Sequence, residues 1–116
     1  MEKIVKKCDR VSVLALAGVL DAAEVGDLLR AAEDLLQQNK QDLVVDGSDL
    51  TFVDSSGLGC FVSIFKKTQA LGRSFTLVGF PKPVVEVITI TKLDRLLTLY
   101  PGSLEAFLAE PDSLPA

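Results

Sequence analysis

The chain has 116 residues, of which 48% are hydrophobic and 24% are charged, and its formal net charge is −4 at pH 7. These values are typical of one compact soluble domain that buries its own core. An acidic chain with no Lys/Arg cluster larger than a pair is not expected to bind nucleic acid or an anionic membrane. The absence of histidine excludes Ser-His and Cys-His nucleophile pairs and histidine zinc sites.

Localisation and cofactor use follow from other missing features. No stretch approaches the roughly 20 apolar residues of a membrane span. Residues 1–7, four of which are charged, lack the apolar region of a signal peptide. We therefore expect a cytoplasmic protein. Cys8 and Cys60 match no metal-binding spacing and are expected to be reduced and apolar. Because no phosphate-loop or dinucleotide-binding fingerprint is present, we expect no cofactor, no metal and no enzymatic activity.

The first part of the chain predicts two strands followed by a helix. Ile4-Val5 and Val11–Ala17 are rich in β-formers and are expected to pair across a turn. Asp21 followed three residues later by Glu24 predicts a capping box at the start of a helix. The apolar positions of this helix recur at helical spacing: Val25, Leu28, Leu29, Ala32, Leu35 and Leu36.

The middle of the chain predicts a buried strand, a loop and a second helix. The continuous apolar run at 43–45 suits a strand covered on both faces, as in a parallel sheet. Asp46–Asp49 is expected to form a loop, and residues 50–53 lead into the turn that opens the helix. The expected apolar face of this helix is Leu58, Phe61, Val62 and Phe65. Gly72 is expected at the position just after the helix.

The last part of the chain continues the alternation. Ser74–Val78 and Leu96–Tyr100 predict strands, and Val84–Thr91 predicts a helix because prolines stand at its first turn. Ser103 is expected to cap a final helix through Leu108, and residues 111–116 are expected to form a flexible tail.

The element order β-β-α-β-α-β-α-β-α predicts an α/β fold in a single domain over residues 1–110. Alternating strands and helices indicate a single-layer mixed, mostly parallel β-sheet of about five strands with about four helices. The opening strand pair is expected to form a mixed edge. We expect a monomer, because the sequence shows no obvious exposed apolar stripe.

The turn Asp54-Ser55-Ser56-Gly57-Leu58-Gly59 is the segment that indicates chemistry. It follows a strand and opens a helix, where open α/β folds place their sites. Ser55 or Ser56 is expected to be the N-cap residue, and Gly57 and Gly59 leave bare backbone that a bulky group could approach. A helix cap alone would explain the pattern. However, one serine is enough for a cap, so two serines and two glycines exceed what capping requires. A phosphate here would add about −1.5 to −2 charge, which a helix N-terminus can hold.

These residues resemble the signature of a known family. Leu43–Asp46 with Leu50–Gly59, and Gly18–Asp21 earlier, resemble the STAS domain, most closely its bacterial anti-sigma factor antagonist branch. The resemblance implies a partner switch. The unphosphorylated protein would bind an anti-sigma factor, usually a GHKL-type serine kinase, which would phosphorylate Ser55 and dissociate, and a PP2C-type phosphatase would reverse the modification.

The resemblance also implies a docking surface around the acceptor serine. Asp21 and Asp54 would lie beside Ser55, Ser56 would be a neighbour that is not phosphorylated, and Gly57 and Gly59 are assigned to the same surface. Two alternatives stay open. The chain could be a STAS interaction module of a non-sigma signalling complex or of a lipid-transport system, or it could bind a small molecule such as a nucleotide at the helix N-terminus.

Overall fold

The computed structural model describes residues 2–8 and 10–110, so the predicted tail at 111–116 lies outside the described residues. The strands are β1 (Glu2–Lys7), β2 (Val11–Leu20), β3 (Asp42–Val53), β4 (Phe75–Val78) and β5 (Thr98–Tyr100). The helices are α1 (Val25–Gln38), α2 (Ser55–Ala70), α3 (Lys82–Ile90) and α4 (Leu104–Ala109), with a short 3₁₀ turn at Leu93–Arg95. The predicted order of elements is confirmed.

The five strands form one sheet in the order β1-β2-β3-β4-β5. β1 runs antiparallel to β2, whereas β2, β3, β4 and β5 run parallel to one another. The sheet is therefore mixed and mostly parallel, with the antiparallel pair at one edge, as the sequence predicts. No helix among residues 2–8 and 10–110 is both long enough and apolar enough to cross a bilayer.

Most of the core lies between one face of the sheet and the first three helices. Leu14 of β2 and Val45 of β3 belong to the same buried cluster as Leu28 of α1, Phe61 of α2 and Ile88 of α3. We call this side the helical face. A smaller cluster on the opposite side, the α4 face, joins four strand valines to the last helix: Val11, Val13, Val44, Val78, Leu104 and Phe107.

The α4 face is only partly covered. α4 has six residues and packs near the starts of β2 and β3. Val19 and Phe52 pair across β2 and β3 near the other end of these strands, and they are 42% and 55% exposed. The sequence shows no obvious exposed apolar stripe, and these side chains weaken that one argument for a monomer.

The predicted loop at Asp46–Asp49 is wrong, because these residues lie inside β3. The strand runs continuously from Asp42 to Val53, and its pairing with β2 shifts register twice, once between Ala15 and Ala17 and once between Gly18 and Val19. Such shifts are β-bulges, in which an extra residue is absorbed without ending the strand. Small polar residues are typical of bulges as well as of turns, which explains the error.

The helix boundaries are mostly as predicted, and one apolar stripe is displaced. Gly72 follows α2 with a φ of 70°, and the N–H of Arg73 donates to the Thr68 carbonyl at 2.9 Å, which closes a Schellman motif. Ser103 Oγ accepts the Ala106 N–H at 3.1 Å, so the predicted cap of α4 is confirmed.

On α2 the stripe Leu58, Phe61, Val62 and Phe65 is only partly right. Leu58 and Phe61 are buried, but Ile64 is fully buried while Val62 and Phe65 are half-buried. α2 packs on both the sheet and α1, which widens its buried face. The last strand is also shorter than the predicted Leu96–Tyr100, because the 3₁₀ turn precedes it.

In the bulged segment of β3, position 47 requires a glycine for packing, and this requirement can be tested. A Cβ atom on Gly47 would overlap the ring of Phe80, which is 9% exposed and stacks edge-on against Phe61 with a centroid distance of 5.7 Å. We expect Gly47→Ala to lower the free energy of unfolding by about 1–3 kcal/mol in urea denaturation, as overpacking of a core does. Ser48→Ala at the next, exposed position is the control and should change stability by less than about 0.5 kcal/mol. Equal stability of the two variants would contradict this packing.

Candidate functional site

The candidate site lies where β2 and β3 end side by side. Leu20 pairs with Val53 in the parallel register, and the Asp54 N–H donates to the Leu20 carbonyl at 3.1 Å. This hydrogen bond joins the loop after β2 to the turn after β3. Asp21 and the Asp54-Ser55-Ser56 segment are therefore neighbours, although more than 30 residues separate them in the chain.

Asp54 is the N-cap residue of α2. Its Oδ1 accepts the Gly57 N–H at 3.0 Å, and its carbonyl accepts the Leu58 N–H at 3.0 Å. The prediction that Ser55 or Ser56 is the N-cap is therefore wrong. Aspartate caps as well as serine does, and its carboxylate also interacts favourably with the positive end of the helix dipole.

The two serines occupy the first positions inside the helix. Ser55 is exposed and Ser56 is half-buried. The structure assigns neither hydroxyl a hydrogen-bond partner among the described residues. Because Asp54 satisfies the cap, the Ser55 Oγ takes no part in holding the helix end and is open to solvent.

Asp21 does not form the predicted capping box with Glu24. Its Oδ1 accepts the Ala23 N–H at 3.0 Å, and its carbonyl accepts the Glu24 N–H at 3.0 Å, so residues 21–24 form a turn before α1. α1 begins at Val25, and its N-cap, Glu24, makes no side-chain cap hydrogen bond. Asp21 is half-buried, one residue after the Leu20 carbonyl that accepts the Asp54 N–H.

The two glycines of the turn have different structural roles. A Cβ on Gly57 would lie 2.6 Å from Val53 Cγ1 and 2.9 Å from Leu20 Cγ, so a glycine lets α2 start directly against the strand ends. Gly59 is exposed, and a Cβ there would meet nothing within 4 Å. Gly26 in α1 has the same open surroundings. Gly57 is needed for packing, whereas the packing of the chain does not require Gly59 or Gly26.

A shallow groove runs between the first turns of α1 and α2, next to the serines. Its volume is about 370 Å³, and it is lined by Val25, Gly26, Leu29, Ser56, Gly59, Cys60 and Ser63. Val25 and Leu29 belong to the predicted apolar stripe of α1, and the sequence prediction gives Gly26 no role. An isolated glycine within a strongly periodic helix was the available signal, because glycine is unfavourable there.

Cys60 forms part of the groove and links the two helices. Its thiol lies 3.7 Å from the Val25 carbonyl oxygen, and the residue is 6% exposed. Burial raises the pKa of the Cys60 thiol to about 11, because a thiolate would lose its hydration there. The thiol is therefore neutral at physiological pH. In the part of the chain that the structure describes, no group of three or more His, Cys, Asp or Glu side chains is arranged to hold a metal ion.

Comparison with known proteins identifies the family of this chain. The model of the STAS domain matches residues 2–106. The chain therefore belongs to the STAS domain family, as the resemblance of its signature predicts.

Individual relatives carry related names. A Thermotoga neapolitana protein, named provisionally as an anti-sigma factor antagonist, is 32% identical over 74 residues, which cover 64% of this chain and 66% of the relative, just under two thirds of its length. The anti-sigma-B factor antagonist of Staphylococcus aureus is 24% identical over 95 residues, covering 82% of this chain and 88% of the relative. The crystal structure of an anti-sigma factor antagonist from Mycobacterium paratuberculosis superimposes with a TM-score of 0.82 at 27% identity, covering 93% of this chain and 91% of that chain.

The assignment of the cap can be tested by stability alone. We expect Asp54→Ala to lower the free energy of unfolding by about 1 kcal/mol in urea denaturation, because the Gly57 N–H loses its acceptor. Asp54→Asn should retain most of the stability, since asparagine caps about as well as aspartate. Ser55→Ala is the matched control at the next position and should be nearly neutral. A loss confined to the Ser55→Ala or Ser56→Ala protein would instead identify a serine as the cap.

Proposed function

We propose that this STAS domain is an anti-sigma factor antagonist controlled by phosphorylation of Ser55. In its unmodified form it binds an anti-sigma factor that is also a serine kinase, and the phosphorylated form is released. The observation that carries the proposal is the arrangement of the turn: Asp54 caps α2, and the Ser55 hydroxyl beside it is exposed and has no structural role. The names of the relatives support the antagonist function.

The modification is a phosphoryl transfer from ATP to the Ser55 oxygen. A bond forms between Oγ and the γ-phosphorus, the bond from that phosphorus to the bridging oxygen breaks, and ADP leaves. The hydroxyl proton passes to a base of the kinase. A PP2C-type phosphatase reverses the step by hydrolysis, in which water replaces Oγ on phosphorus and inorganic phosphate is released.

The phosphate changes the charge of the site without removing an interaction that holds the fold. It adds about −1.5 to −2 charge at neutral pH, next to the carboxylates of Asp54 and Asp21. The N–H groups of the first turn of α2 can donate hydrogen bonds to the phosphate oxygens, and the Asp54 cap stays in place. The main effect is therefore expected at the surface, where a partner that fits the unmodified turn meets added negative charge and bulk.

The groove beside the turn suits a partner that approaches closely. Gly26 and Gly59 line it, and neither residue is required by packing or by a positive φ. A glycine within a helix lowers stability by roughly 0.5–1 kcal/mol relative to alanine. We infer that both positions are kept free of side chains so that the partner contacts the backbone of α1 and α2 next to Ser55.

The first test is a phosphorylation and binding assay. The purified chain is incubated with ATP and each GHKL-type serine kinase encoded in its own genome, and any phosphate is located by mass spectrometry. We expect one phosphate on Ser55 and loss of kinase binding afterwards. Ser55→Ala should bind without accepting phosphate, and Ser55→Glu should bind more weakly because it carries a permanent charge. Ser56→Ala is the matched control and should still be phosphorylated on Ser55.

Two outcomes would contradict this proposal. Phosphate on the Ser55→Ala protein would assign the acceptor elsewhere, with Ser56 the nearest hydroxyl. Failure of every kinase to modify the chain, together with a stable complex with some other protein, would make the domain a constitutive interaction module, and Ser55 would have no regulatory role.

The second test separates the groove from the fold. We expect Gly59→Ala, inside α2, to raise the free energy of unfolding by roughly 0.5–1 kcal/mol, because alanine is the better helix former. Gly26→Ala, in the first turn of α1, should raise it by less. The same variants should weaken kinase binding by about tenfold in isothermal titration calorimetry, since each added methyl group stands in the contact. Gln69→Ala, on the exposed far end of α2, is the control and should leave affinity unchanged. Unchanged affinity in both glycine variants would show that the partner binds elsewhere.

A further inference from the structure

β1 is a regular edge strand, and its side chains from Glu2 to Lys6 are exposed. It pairs with β2 over all six of its residues without a bulge, and it is the outermost strand of the sheet on that side. Ile4 is 56% exposed and Val5 is 48% exposed. An edge with free N–H and C=O groups and apolar side chains is a template for pairing with another strand.

The register with β2 determines which side chains share a face. Ile4 pairs with Ala15 and Lys6 with Val13, so Ile4 and Lys6 project on the α4 face, to which Val13 belongs. Glu2 projects on the same face by strand alternation, and Lys3 and Val5 project on the helical face. Along the α4 face, the exposed edge therefore carries an acid, an apolar residue and a base in order.

When a second copy of β1 lies antiparallel to the first, the acid of each strand can lie opposite the base of the other. We propose that β1 pairs antiparallel with β1 of a second copy of this chain, with the two-fold axis at Ile4. Glu2 of each copy then lies opposite Lys6 of the other, and the two Ile4 side chains meet at the axis. Opposite charges directly across an antiparallel pair stabilise it, and Ala15 on either side extends the apolar row through the two isoleucines.

Neighbouring registers do not share this complementarity. Moving the second strand by one residue in one direction places Lys3 opposite Lys6, and moving it in the other direction places Glu2 opposite Val5. A parallel pairing in register places like charges together. The register centred on Ile4 is the one that gives each charge on the α4 face an opposite partner.

The contact leaves the candidate site free. The β1 edge contains none of the site residues, and the two-fold axis makes the β2 strands of the two copies antiparallel. The two copies then form a continuous ten-stranded sheet. Each Ser55 turn follows the β3 strand of its own copy, and because the two β3 strands run in opposite directions, the two turns lie at opposite edges of the sheet. One pair of six-residue strands buries less surface than a stable protein interface, so the dimer should form reversibly with rising concentration.

The test is the oligomeric state of the full chain by sedimentation equilibrium over a range of concentrations. We expect a monomer–dimer equilibrium that Glu2→Lys and Lys6→Glu each weaken by about tenfold, because each change creates two like-charge pairs. The double variant Glu2→Lys/Lys6→Glu should restore dimerisation. Lys3→Glu changes the net charge as Lys6→Glu does but lies opposite Val5, and it should have a smaller effect.

Several outcomes would overturn the proposal. A wild-type chain that stays monomeric at every concentration has no such interface. A dimer that neither single charge reversal weakens uses another surface, and a double variant that fails to recover excludes the register centred on Ile4. Circular dichroism of each variant verifies that β1 substitutions, which lie at exposed positions, leave the fold intact.

Discussion

The bulged parallel pairing of β2 with β3 is the constraint on which the site depends. The paired region spans 10 residues in β2 and 12 in β3, and the two bulges absorb the difference, so that both strands end at the same level. Only because of this alignment does the Asp54 N–H reach the Leu20 carbonyl. The loop after β2 and the helix after β3 are then held side by side, and Gly57 allows α2 to start directly on the strand ends. A register without the bulges would separate Asp21 from the serines.

The different roles of Asp54 and Ser55 in the turn follow from that alignment. Asp54 supplies the acceptor that the helix needs, and the serine next to it contributes nothing to the helix end. The acceptor that holds the helix end and the exposed hydroxyl therefore belong to different side chains. A covalent change on Ser55 alters charge and shape at the surface while the strands, the cap and the core keep their contacts. The groove with its two open glycines lies directly beside this position.

The sequence predicts the order of the elements well because each has a strong local signal. The apolar period of α1, the glycine after α2 and the serine before α4 are all local, and the structure confirms them. The errors come from choices that tertiary structure decides. Gly47-Ser48 has the composition of a turn but lies in a bulge that β2 and Phe80 support. Residues 54–56 are all good capping residues. Which of them is the N-cap of α2 depends on where β3 ends, and the sequence does not determine that end. The groove was missed because it arises between two helices that are distant in sequence.

The buried thiol of Cys60 has a consequence for cells under oxidative stress. Peroxides and disulfides react with thiolates, and a thiol with a pKa of about 11 is ionised in only about one molecule in ten thousand at neutral pH. The cysteine that forms part of the groove is therefore a poor target for sulfenylation or glutathionylation. Oxidants would therefore leave the thiol, and with it the shape of this surface, unchanged.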